Sequence, residues 1–182
     1  MPEELCSERP LFGGAISSKF PNRFEDVSNI RQVPDHQHEV GDSGSAVWFL
    51  QDLATEQDAE QGTVIEQSGV VEAPGLTYRN IPAVVTTAVG QMAISKGRQG
   101  RETQNIVRVY LANLRLKEVG TDVLIAAYEP ILINPLSESA RTVGAGLTAP
   151  ASQSGYMPMA EVFKLAASSF KVNDWSLFGP SA

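Results

Sequence analysis

Cysteine is almost missing from this chain: Cys6 is the only one in 182 residues. No internal disulfide can form, which suits a reducing compartment such as cytosol or nucleus. Histidine is nearly as scarce, with only His36 and His38. Neither CxxC nor HExxH occurs, so a metal site would need Asp35, Glu39 or Asp42 beside the two histidines. Two exposed loop histidines are the simpler reading, and no metal is expected. No apolar run approaches the ~20 residues that span a bilayer, so no membrane role is expected. The start, "MPEELCSERP", lacks the apolar core of a secretory signal and carries three Glu in eight residues, unlike a transit peptide. Positive charge is also short: 14 Lys and Arg stand against 21 Asp and Glu, net −7. That excludes sequence-independent nucleic-acid binding, which needs a cationic face. It leaves room for a basic protein partner, since opposite fields steer association. Walker and GxGxxG motifs are absent, as are paired carboxylates in a pocket-like context. No catalytic residue and no cofactor are therefore expected.

What is present fits one soluble globular domain, with 42% hydrophobic and 19% charged residues. Residues 1–10 read as a flexible N-terminal tail and 11–182 as a single domain. "LFGGAISSKFP" reads as a short strand broken at Gly13-Gly14 and stopped at Pro21. Ser43 or Ser45 is placed to cap a short helix through "AVWFLQDLATEQ", where Val47, Leu50 and Ala54 share a face. Strands and turns follow in "GTVIEQSGVVEAPG", then a long β-branched strand over 83–95. The segment 105–116, "NIVRVYLANLRL", carries the strongest strand signal. Val107, Val109 and Leu111 share one face, while Leu114 and Leu116 lie on the other, which predicts a bulge or a sheet-edge change near Asn113. "VLIAAYEP" reads as the next strand, 134–156 as a long loop, and "MPMAEVFKLAASSF" as a helix covering a sheet. The class is α+β, an antiparallel sheet with helices on it.

Two stretches invite a catalytic or phosphate-binding reading. "GDSGS" (Gly41 to Ser45) matches the nucleophile loop of trypsin-like proteases. A serine nucleophile needs a base, an orienting acid and an oxyanion hole. Only 40 residues precede the motif, too few for the barrel that carries the protease histidine. A Gly/Asp/Ser turn before a helix explains the match. "KGRQGRE" (Lys96 to Glu102) is basic and glycine-rich, but a strand follows it rather than the helix N-terminus a phosphate cradle uses. It reads as a solvated hairpin turn.

Three ordered blocks carry a wider likeness. They are "LFGGAISSKFPNRFEDVSNIRQVPDHQ" (Leu11 to Gln37), "NIVRVYLANLRLKEVGTDVLIAAYEP" and "FKVNDWSLFG" (Phe170 to Gly179). Together the chain resembles the Ran guanine nucleotide release factor family, also called the Mog family, in a plant-like wording. The resemblance implies a PsbP-like (Mog-type) fold, a central antiparallel sheet flanked by helices. It implies a non-enzymatic, monomeric regulator in nucleus and cytoplasm that binds the small GTPase Ran. Such a factor promotes nucleotide release by stabilising nucleotide-free Ran and supports nucleocytoplasmic protein transport. The residues implied in Ran contact are Asp35 first, framed by Arg31, Pro34 and Gln37, with Glu39 as second acid. A PsbP-like structural subunit of the photosynthetic apparatus is the alternative from another class.

One block departs from the family pattern. There Val-Pro-Asp-x-Gln runs into Glu-Val-aromatic, a polar turn and an aliphatic helix. Here Asp35 and Gln37 are in place, but Glu39-Val40 come one position late and no aromatic follows. The economical reading is an internal deletion at 37/38 of about one strand and one helix, as in an inactive truncated isoform. It predicts a destabilised domain with an uncovered apolar face.

Overall fold

The computed structural model describes residues 4–25, 46–56, 63–78, 81–94, 104–116, 119–136, 146–147 and 155–178. Two strands open the chain, β1 (Cys6–Leu11) and β2 (Ile16–Pro21), joined by a 3-10 turn at Phe12–Gly14. They pair antiparallel from Cys6↔Pro21 to Leu11↔Ile16. The expected tail over 1–10 is thereby corrected from residue 6 on, while residues 1–3 lie outside the described residues. Residues 6–11 are a strand, because the Gly13-Gly14 break lets the chain fold back and pair polar "CSERPL" with β2. Helix α1 (Ala46–Glu56) follows, then β3 (Val64–Val71) and the short pair β4 (Thr77–Tyr78) and β5 (Ile81–Pro82).

The main sheet is built from β3, β6 (Val84–Ile94), β7 (Asn105–Leu116), β8 (Thr121–Ile133) and β9 (Gly146–Leu147), in that order and antiparallel throughout. Helix α2 (Met159–Ser168) and strand β10 (Lys171–Val172) close the chain, β10 adding to β2. A 3-10 turn at Trp175–Phe178 follows.

Each helix covers one face of this sheet. On the α1 face, Phe49, Leu50 and Ala54 pack on Ala88, Met92, Val107, Val109 and Leu111. On the other face, Phe163, Ala167 and Phe170 pack with Val85, Tyr110, Ala112 and Leu114. β7 is thus buried on both sides, and its apolar residues need not keep to one face. The bulge expected near Asn113 is not there: pairing with β6 and β8 runs unbroken through Asn113, and the one register shift against β8 lies between Ile106 and Val107. The α+β class and the covering helices are as expected. The long loop read over 134–156 contains strand β9.

Candidate functional site

The five residues singled out for partner contact, Arg31, Pro34, Asp35, Gln37 and Glu39, lie outside the described residues. So do His36, His38, Ser43 and the basic stretch Lys96 to Glu102. The structure does describe what holds both ends of the 26–45 segment. At its start, Asn22 N donates to Leu5 O at 2.9 Å. Arg9 Nη2 donates to Asn22 O at 3.1 Å and Phe24 O at 2.6 Å. The Arg9 guanidinium also lies 5.0 Å from the centre of the Phe20 ring. Arg23 pairs with Glu4 and lies 4.7 Å from the ring centres of both Phe24 and Tyr156. At its end, Ala46 is fully buried and its N–H donates to Thr86 Oγ1 at 2.9 Å. The described chain is therefore fixed on both sides of residues 26–45, at Asn22 to Phe24 against β1 and at Ala46 on the α1 face of β6.

A polar network sits at one end of the α2 face. The Tyr110 hydroxyl donates to Glu129 Oε1 at 3.2 Å, and Arg108 lies between Glu129 and Glu66, 3.5 Å from each. Burial, then the Glu129 charge, pushes the Tyr110 phenol up. Register explains the grouping: Arg108 faces Glu129 and Tyr110 faces Ala127 across β7 and β8. Arg108 and Glu129 are half-buried and Glu66 is exposed, so these ion pairs link β3, β7 and β8 at the surface of the sheet. Among the described residues no group of three His, Cys, Asp or Glu side chains is placed to hold a metal ion.

Sequence reasoning passed over one concave feature. The turn at Phe12–Gly14 and residues Asp174, Ser176 and Leu177 line an open surface hollow of about 420 Å³. "LFGG" was visible as a strand break, but its other wall lies some 160 residues away, joined by Asn173 Nδ2 donating to Gly14 O at 3.1 Å. No spacing rule reaches that far.

A family model described as "Ran-interacting Mog1 protein" matches residues 9–40 and 38–130. A Dictyostelium discoideum "probable ran guanine nucleotide release factor" is 30% identical over 196 residues, covering 96% of this chain and 97% of the relative. A Danio rerio "Ran guanine nucleotide release factor" is 32% identical, covering 72% of this chain and 82% of the relative. The Schizosaccharomyces pombe "nuclear import protein mog1" is 24% identical over 66% of this chain and 75% of its own. Among solved structures, the Saccharomyces cerevisiae Ran-binding protein Mog1p superposes with a TM-score of 0.61 at 18% identity. That match covers 97% of this chain and all of that one, and shows a shared fold.

Proposed function

Because the chain belongs to the Ran-interacting Mog1 family, we propose that it binds the GTPase Ran and promotes release of its nucleotide. The observation that carries this reading is the family match over residues 9–130, which runs through the segment holding Asp35. Relatives named as Ran guanine nucleotide release factors support it. Release of this kind makes and breaks no covalent bond. A factor that prefers nucleotide-free Ran to the loaded form lowers nucleotide affinity by the same factor, by linkage. The chain then acts as a monomeric regulator in nucleus and cytoplasm, in support of nucleocytoplasmic transport.

Asp35 is the anchor of the contact, Arg31, Pro34 and Gln37 frame it, and Glu39 is the second acid. An acid in this role meets a cation on the partner, and its loss leaves that cation buried without a counter-charge. The test is a pull-down with nucleotide-free Ran beside GTP-loaded Ran. The chain is expected to retain the nucleotide-free form in excess. Asp35→Ala is expected to weaken retention by about thirtyfold, the effect of a hot-spot residue of about 2 kcal/mol. Absence of retention overturns the reading for this chain; retention untouched by Asp35→Ala removes the site and leaves the partner.

A further inference from the structure

The β1–β2 turn passes through three successive residues at positive φ: Phe12 at 51°, Gly13 at 67° and Gly14 at 92°. Glycine takes such angles freely, whereas a bulky side chain there is a strained outlier. Phe12 is the one non-glycine residue at positive φ among those described. Burial does not offset the strain, because Phe12 is 68% exposed. A strained backbone that presents an aromatic ring to solvent points to a use for the ring.

The turn is also firmly held. Asn173 N and Asp174 N both donate to Ala15 O, at 2.7 and 3.1 Å. Asn173 Nδ2 adds bonds to Gly14 O and to Ser17 Oγ at 3.3 Å. These bonds bring the C-terminal segment against the turn and leave the hollow between them. Its walls include Phe12, Gly13, Gly14, Asp174, Ser176 and Leu177. Ser176 donates its backbone N–H and its hydroxyl to Asp174 Oδ1, at 3.0 and 2.6 Å, which fixes the carboxylate. The Ser176 hydroxyl, then its N–H, holds the Asp174 carboxyl below its ordinary value. Among the described residues no lysine or arginine pairs with Asp174. The hollow therefore offers an exposed ring face, a half-exposed Leu177 and a fixed negative charge with no cation.

We propose that this hollow receives an arginine or lysine side chain of a protein partner, with the Phe12 ring against its cationic head and Asp174 as counter-charge. The chemistry is a cation–π contact combined with a charge-assisted hydrogen bond. The molecule pairs Arg with aromatic rings internally in the same way, at Arg9 with Phe20 and at Arg23 with Phe24 and Tyr156. The net charge of −7 favours a cationic partner over the whole surface. The proposal does not depend on the Ran reading.

The experiment is an NMR titration of the ¹⁵N-labelled chain with the peptide acetyl-Gly-Gly-Arg-Gly-Gly-amide. The control replaces arginine by citrulline, which keeps the shape and removes the charge. Saturable shifts at the amides of Gly13, Gly14 and Leu177 are expected with arginine, with about tenfold weaker binding of citrulline. Asp174→Asn, which retains an oxygen for Ser176, is expected to lose about tenfold in affinity. Phe12→Gly is expected to lose as much while melting no lower than the parent, since glycine takes this φ without strain. Equal binding of the citrulline peptide, unchanged binding by either variant, or no saturable shift in the parent each overturns the proposal. A clearly lower melting temperature for Phe12→Gly would mark the ring as structural and overturn its assigned role.

Discussion

Tyr110 shows what a single residue can contribute here. Its ring is 5% exposed, packs 5.6 Å from the Phe163 ring centre, and places its hydroxyl against Glu129. Burial and the neighbouring carboxylate both disfavour the phenolate, so its pKa in the fold lies above the unfolded value of about 10. Between those two values the unfolded chain binds fewer protons than the folded one. Stability is then full below about pH 10 and is lost as pH rises through the raised value. Tyr110→Phe is expected to cost about 1 kcal/mol near neutral pH, the net value of one hydrogen bond. That gap should close as pH rises above 10, because the variant has no phenol to ionise. Urea midpoints at pH 8, 9, 10 and 11 decide it; a gap that stays constant would show that Tyr110 is not the titrating group. None of this was legible in the sequence, where Tyr110 reads as one residue of an apolar strand. Its partners Glu129 and Phe163 are 19 and 53 positions away. Residue-scale reading succeeded where the cause is local, as with the strand break at Gly13-Gly14, and failed for the turn's bonds to Asn173 and Asp174, which lie some 160 positions away.

At the scale of elements, periodicity carried most of the information. Helices α1 and α2 follow from apolar spacing, and β6 to β8 from runs of β-branched and aliphatic residues. Two errors share a cause. β1 is polar and its strand character comes from pairing with β2. The expected bulge at Asn113 assumed that only one face of β7 is covered, whereas α1 and α2 cover both. Cover by distant elements cannot be seen in a local pattern. The packing of α1 turns on Gly90, which pairs with Val109 and sits beneath Leu50. A Cβ at Gly90 would lie 2.8 Å from Val64 O and 3.1 Å from Leu50 Cδ2. Val64 O is backbone within the β3–β6 ladder and cannot yield without loosening it. Gly90→Ala is expected to destabilise by about 2–3 kcal/mol through overpacking, despite the higher strand propensity of alanine over glycine. Equilibrium urea unfolding checks this, and a change under 0.5 kcal/mol, the ordinary range of an exposed site, would refute the tight contact.

For the whole molecule, the question is what else belongs on the α1 face. Across β7, Asn113 faces Leu124, Leu111 faces Ala126 and Val109 faces Tyr128, so these β8 residues share that face. Helix α1 packs on β6, β7 and β3, while Leu124 and Tyr128 beside it remain 46% and 41% exposed. Asn113 is 1% exposed there and its Oδ1 has no hydrogen-bond partner. We propose that this row marks the place of a segment deleted at 37/38. The family model matches in two pieces that meet at residues 38–40, just before α1. An alignment of 196 residues that takes in 96% of this 182-residue chain, about 175 residues, leaves about 21 positions of the Dictyostelium discoideum relative without a counterpart. Each aliphatic side chain that covered such a row would contribute about 1.5–3 kcal/mol before ordering entropy. Restoring one strand and one aliphatic helix after Gln37 is expected to raise stability by about 3 kcal/mol. For a chain of this size that is about 10 °C in melting temperature. It should also lower binding of an apolar-surface dye and strengthen retention of nucleotide-free Ran. If the inserted chain melts at the same temperature and binds as much dye, the row is a surface in its own right, and Leu124→Lys should then leave stability within about 0.5 kcal/mol of the parent.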